Sequence, residues 1–318
     1  MMTVRRGWSK PTTILFATEL PTNEMTFSLA LAQAVEGRAD LIIFHVCRGE
    51  CAAGDSDLAP RSPDFASARA VKKELDPLVR RARDLGVNCR VVVRAGSVAE
   101  AILHYAHEHK VDRVVMGVHT PGPVGKLLVG STAEAVLRKA QFPVTIVGPF
   151  LEERTFRNLA TRTILCPLSE HPTNPAVVRL AAEVAARHGA RLILQQIIPP
   201  QDASEVLAGR TLAQVESSLM EMVPPRLREK LDVCVRVMEG DPIEELLYQG
   251  RVEEANLIVM GAHGASRFAA LTHAGPIYKV LAYARCPVMT LSPVLLAESK
   301  IFPERESSER VHYIAGVV

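Results

Sequence analysis

The run Met116-Gly117-Val118-His119-Thr120-Pro121-Gly122-Pro123-Val124-Gly125-Lys126-Leu127-Leu128-Val129-Gly130-Ser131-Thr132 holds the residue types of an anion cradle. Glycines at 117 and 130 let a ligand approach bare backbone. The hydroxyls of Ser131 and Thr132 can donate to phosphate oxygens, and His119, Thr120 and Lys126 add polar groups. If a helix starts at Ser131, its first N–H groups and its dipole favour negative charge. The same residues also suit an ordinary turn and N-cap, so the location of the loop matters. The chemistry is binding rather than bond breaking. The chain has no Gly-x-Ser-x-Gly elbow, no Gly-x4-Gly-Lys-Ser/Thr loop, and no Gly-x-Gly-x-x-Gly after a first strand.

Other candidates are weaker. His104, His107 and His109 fall on one predicted helix, where His107 and His109 point about 160° apart and cannot share one ion. Cys47 and Cys51 have Cys-x3-Cys spacing, which is neither a tight redox pair nor half of a zinc site. Lys72, Lys73, Arg80, Arg81 and Arg83 alternate with Glu74, Asp76 and Asp84, as on a solvated mixed-charge helix face.

The elements that must hold the loop are legible as short apolar runs alternating with helical patterns. Thr13–Thr18, Leu41–Val46, Val91–Val93, Arg113–Met116 and Pro143–Val147 read as strands. Helices are expected from Asn23, as N-cap, to about Glu36 with Gly37 as the stop, and over Ala66–Leu85, Val98–His109 and Ser131–Lys139. Near-continuous Val/Ile/Leu strands alternating with helices predict a doubly wound parallel α/β sheet.

The pattern occurs twice. Thr13-Ile14-Leu15 recurs as Thr163-Ile164-Leu165, and Pro21-Thr22-Asn23 as Pro172-Thr173-Asn174. Val91–His119 aligns without a gap on Val235–His263, and Phe142-Pro143-Val144 on Cys286-Pro287-Val288 at the same offset. In the second copy Asn174 is expected to cap, Pro175 to take the first helical position, and Gly189 to end the helix. Leu192–Ile197 is its second strand. The reading divides the chain into a tail (1–10), a first domain (11–149), a linker (150–161), a second domain (162–292) and a C-terminal tail (293–318) with no counterpart in the first copy.

Composition fits two globular units. The chain has 318 residues, 48% hydrophobic and 23% charged, which excludes whole-chain disorder. No stretch approaches the roughly 20 apolar residues of a spanning helix. A net charge of +2 gives no excess for a nucleic-acid partner. Six scattered cysteines form no disulfide framework, so the expected compartment is the cytosol. The first ten residues lack the apolar stretch of a signal peptide.

Together the repeated Gly turn (Gly96 and Gly240), the Val-Met-Gly end of strand four (117 and 261) and the Gly130-Ser131 step resemble the universal stress protein family. The resemblance covers both copies. It implies strand order 3-2-1-4-5 in each and pairing of the copies through strand five, Pro143–Val147 with Pro287–Leu291. The Ser-Gly-Gly-x-Asp-Ser loop of related ATP pyrophosphatases is missing. In nucleotide-binding members an acidic residue follows strand one, an apolar residue ends strand two, and the glycine loop holds ribose and phosphates. Carried over, this implies Glu19, Val46, Met116, Gly117, His119, Thr120, Gly130, Ser131 and Thr132. Glu19 stands where Asp is usual, and Thr120 where the family has Gly. The second copy offers Ser169, Ile197, Met260, Gly261, His263, Gly264 and Gly275. There the Gly-Ser step has become Ala274-Gly275-Pro276, which removes a hydroxyl and an N–H. The implied function is ATP sensing in a stress response, with AMP or ADP as further ligands and Mg²⁺ accompanying them. The implied partners are a second copy of the chain and an unidentified protein. The alternative is a nucleotide-free scaffold.

Overall fold

The computed structural model describes residues 10–47, 65–118, 130–152, 162–169, 174–203, 209–262 and 276–300. The first half runs β1 (Thr13–Thr18), α1 (Glu24–Gly37), β2 (Asp40–Cys47), α2 (Phe65–Asp84), β3 (Cys89–Ala95), α3 (Val98–Glu108), β4 (Arg113–Gly117), α4 (Ser131–Lys139) and β5 (Val144–Val147). The second half runs β6 (Thr163–Leu168), α5 (Asn174–His188), β7 (Arg191–Ile198), a 3₁₀ turn (Pro200–Asp202), α6 (Leu212–Glu221), α7 (Pro225–Arg228), β8 (Val233–Glu239), α8 (Pro242–Val252), β9 (Leu257–Gly261), α9 (Pro276–Tyr283) and β10 (Val288–Leu291). It ends in α10 (Pro293–Lys300).

All ten strands form one sheet, ordered β3-β2-β1-β4-β5-β10-β9-β6-β7-β8. Each half is parallel with order 3-2-1-4-5. The halves meet antiparallel, with Val144 opposite Thr290, Thr145 opposite Met289 and Ile146 opposite Val288. Thr145 and Met289 are counterparts in the repeat, so a pseudo-twofold axis passes between them. The join covers two strand edges that would otherwise stay unpaired.

The two faces of the sheet are covered differently. On one face α3, α4, α8 and α9 bury a single apolar core that runs across the join, from Phe44, Tyr105 and Val136 to Leu246, Ile277 and Leu281. On the other face α1 and α2 cover the first half, and α5, α6 and α10 cover the second. The chain segments that leave the central strands are exchanged across the join. After β5, a Cβ at Gly148 would stand 2.6 Å from the Leu281 carbonyl oxygen of α9, so only glycine fits there. Next to it Phe150 stacks on Tyr283, and Glu152 pairs with Arg285 at 2.5 Å. After β10, the Ser292 hydroxyl accepts from Leu295 N–H (3.0 Å), capping α10, and donates to the Ala140 carbonyl at the end of α4.

The helix expected to stop at Gly37 runs through it. Arg38 takes the left-handed conformation instead, at φ 50°. Its N–H and that of Ala39 bond Val35 O and Ala34 O (3.2 and 2.9 Å), a Schellman closure. Gly37 is fixed by crowding, because a Cβ there would meet Pro11 O at 3.2 Å. Asn174 is the first residue of α5, and its side-chain amide donates to Ser169 O. Gly189 has the expected positive φ, 59°. The tail after Ser292 begins as helix α10, with Leu295 and Leu296 buried.

Candidate functional site

In the first half, the strand order reverses between β1 and β4, a switch point of the kind at whose carboxyl ends open α/β sheets bind ligands. The β1–β4 ladder continues to Ala17 opposite Met116, and β1–β2 to Thr18 opposite His45. Beyond these pairs the chain turns away, leaving the ends of β1, β2 and β4 side by side. Val46 and Met116, next to last in β2 and β4, are buried in the core under α3 and α4. Glu19 is exposed at the end of β1.

Gly117 closes β4 under α1. The buried Thr26 hydroxyl stands 3.3 Å from where a Gly117 Cβ would be, so the glycine lets the first turn of α1 sit against the end of β4. Asn23 caps that turn, accepting from Thr26 N–H (3.0 Å) and the Thr26 hydroxyl (3.1 Å). Gly130 differs. It is the N-cap of α4 with φ −61° and ψ 154°, and as glycine it brings no side-chain cap to the helix. A Cβ on Gly130 meets nothing within 4 Å. Neither backbone conformation nor crowding among the described residues requires glycine here. Ser131 is exposed and Thr132 half-buried in the first turn of the helix.

The structure thus sets Glu19, Val46, Met116, Gly117, Gly130, Ser131 and Thr132 at strand ends or at the α4 N-terminus. His119 and Thr120 lie outside the described residues. Two contributors were missed. His45 Nδ1 donates to Thr18 O (3.0 Å), and the Thr18 hydroxyl donates to Glu19 O (2.9 Å). These bonds fix the main chain that carries Glu19. Thr26 is the other, and only strand register and helix docking reveal either.

The second-half crevice is built differently. The β6–β9 ladder stops at Leu165 opposite Ile258. Pro167 in β6 stands where β1 has Ala17, and it has no N–H for a ladder bond. The polar surroundings change too. Phe44, which packs on Tyr105 in the first half, is replaced by the buried Gln195, whose amide donates to Met238 Sδ at 3.7 Å. The position of Tyr105 is taken by Gln249, which accepts from Arg236 at 3.0 Å. Arg236 in turn pairs with Glu253 at 2.6 Å. Ile197 is buried, Met260 and Gly261 are half-buried, and Ser169 is exposed. His263, Gly264 and Gly275 lie outside the described residues. Among the described residues, no group of three His, Cys, Asp or Glu could hold a metal ion. None of the described helices is long and apolar enough to cross a membrane.

Comparison with known proteins settles the family. The model of the universal stress protein family matches residues 11–148 and again 160–292. The chain belongs to the universal stress protein family. A universal stress protein of Mycobacterium bovis is 24% identical over 255 residues, covering 74% of this chain and 82% of the relative. One from Mycolicibacterium smegmatis is 26% identical over 220 residues, covering 65% and 70%. Among solved structures, a universal stress protein from Archaeoglobus fulgidus superposes with a TM-score of 0.67 at 18% identity, covering 90% of this chain and 97% of that one. That likeness concerns the fold. It extends over both halves, as expected of a universal stress protein with two repeats.

Proposed function

We propose that the first half of this universal stress protein binds an adenine nucleotide, ATP or AMP, and that the molecule works as a nucleotide sensor with two domains, 11–149 and 162–292. The observation that carries this reading is Gly130. The described residues leave the space beside it open, and glycine brings no side-chain cap of its own to the α4 N-terminus. A phosphate seated on that helix end would meet N–H groups and the Ser131 and Thr132 hydroxyls, with the dipole in its favour. A base would lie against the ends of β2 and β4 near Val46 and Met116, and Glu19 would offer a carboxylate for ribose or base edge. These residues suit a nucleotide, and Mg²⁺ would arrive with the phosphates rather than on a protein-built site. Among the described residues no group is placed as a general base for hydrolysis, and the reading is binding. The buried free thiols of Cys89, Cys166 and Cys286 suit a reducing cytosol.

Titration calorimetry with ATP and with AMP, with and without Mg²⁺, tests the proposal. Ser131→Ala is expected to weaken binding about tenfold through loss of one hydrogen bond to a charged group. Gly130→Val is expected to abolish it. Absence of heat at millimolar nucleotide would favour a nucleotide-free scaffold acting through protein contacts.

A further inference from the structure

The ten-stranded sheet ends in β3 on one side and β8 on the other, and these two edge strands are counterparts in the repeat. In each, alternate residues turn their backbone groups away from the inner neighbour. Asn88 O accepts from Leu41 N–H of β2, so Cys89, Val91, Val93 and Ala95 direct N–H and C=O outward. Asp232 O accepts from Leu192 N–H of β7, and Gly240 N–H donates to Ile198 O. The outward residues of β8 are therefore Val233, Val235, Val237 and Glu239.

Only one of the two edges carries a guard among the described residues. On β3, Arg83 of α2 donates to Cys89 O (3.3 Å) and Arg94 donates to Val93 O (3.2 Å). Guanidiniums seated on edge carbonyls block the approach of a further strand. On β8, Met238 stands in the place of Arg94. Arg228 of α7 donates to Glu221 O and Val223 O instead. Arg236 is held on the α8 face by Gln249 (3.0 Å) and Glu253 (2.6 Å). Every residue from Val233 to Met238 is half-buried. Val233, Val235 and Val237 lean on the core beneath α5 and α6, and Cys234 and Met238 on the shared core.

We propose that β8 is an interface between two copies of this chain, which pair antiparallel about a twofold axis through Arg236. This register uses all the outward residues at once. Val235 faces Val237 of the second copy, Val233 faces Glu239, and each such pair exchanges two backbone hydrogen bonds. Valine then meets valine on one face of the new ladder, and Cys234 meets Met238 on the other. The two Arg236 side chains approach at the axis, each already neutralised by its own Glu253. The strand ends are complementary in charge. Before β8, Arg226, Arg228 and Lys230 outnumber Glu229 and Asp232, whereas Glu239, Asp241, Glu244 and Glu245 follow with no base among them. Antiparallel pairing sets the basic end of each copy beside the acidic end of the other. The molecule already joins its own halves by the same kind of twofold ladder at β5 and β10.

Sedimentation velocity of the full chain over a concentration series tests the interface. The wild type is expected to pass from monomer to dimer. Val235→Pro removes an outward N–H and no bond to β7. It should weaken the dimer more than about tenfold, because the lost bond occurs twice across the axis. Met238→Arg, which gives β8 the guard that β3 has, should do the same. Val91→Pro, the matching change on β3, should leave the dimer as it is. A wild type that stays monomeric at every concentration overturns the proposal and leaves the edge to a strand of another protein. A Val235→Pro dimer as tight as the wild type overturns it too, as does an equal loss with Val91→Pro. If Val235→Pro fails to fold, Met238→Arg decides alone: a dimer of wild-type strength sinks the interface, and a weakened one supports it.

Discussion

At the scale of single residues, two glycines separate packing from binding. Gly148 faces the Leu281 carbonyl so closely that a methyl group must displace α9. Gly148→Ala is expected to cost about 1–3 kcal/mol, read by thermal or denaturant unfolding. Among the described residues, nothing stands where a methyl group on Gly130 would go. Gly130→Ala should leave stability within about 0.5 kcal/mol of the wild type while weakening nucleotide binding. Equal stability losses in the two variants would show that Gly130 also serves packing. The spacing Gly117…Gly130-Ser131 could be read from sequence because it is local. Thr26 and His45 could not. Thr26 acquires its role only when α1 lands on Gly117, and His45 only when the β1–β2 register brings it to Thr18 O. Arg38 was hidden for a different reason. Glycine usually takes the left-handed closing position, but here crowding against Pro11 draws it one residue earlier.

At the scale of elements, α4 joins three parts of the molecule. Its N-terminus faces the first crevice, its middle touches the second half, where burial and the nearby Glu134 raise the pKa of Tyr278, and its end accepts the Ser292 hydroxyl. Ser292 thus caps α10 and ties it to the opposite half. Ser292→Ala is expected to cost roughly 1–2 kcal/mol, from the lost cap and the lost bond to Ala140 O. Faster amide exchange confined to Pro293–Lys300 would accompany it, and unchanged exchange there would show that Leu295 and Leu296 alone hold the helix. The sequence showed the β/α alternation but left the segment after Ser292 without a pattern. Eight residues hold too few apolar positions for a periodic signal, and α10 is fixed by its burial against the sheet. Pro167 was not singled out in the sequence, because its effect on the β6–β9 ladder shows only in the pairing.

At the scale of the whole molecule, the shared core makes the two halves one cooperative body. Residues from Phe44 to Leu281 belong to one apolar cluster that crosses the join. Calorimetry is expected to give a single unfolding transition with equal calorimetric and van't Hoff enthalpies. Two resolved transitions would mean that the antiparallel ladder is a weak seam. The axis also shows how the copies have diverged. Glu36 aligns with Arg187 in the repeat and Gly37 with His188, so the Glu36–His188 contact of 3.4 Å has no mirror image across the axis.

The opposed run of β5 and β10 carries one more consequence. The two halves present their crevices on opposite rims of a sheet ten strands wide. A compound with two heads on a short tether could not span from one rim to the other. Lengthening the tether would gather separate protein molecules sooner than it would fold back on one. Two different visitors could therefore occupy the same molecule at once without ever touching.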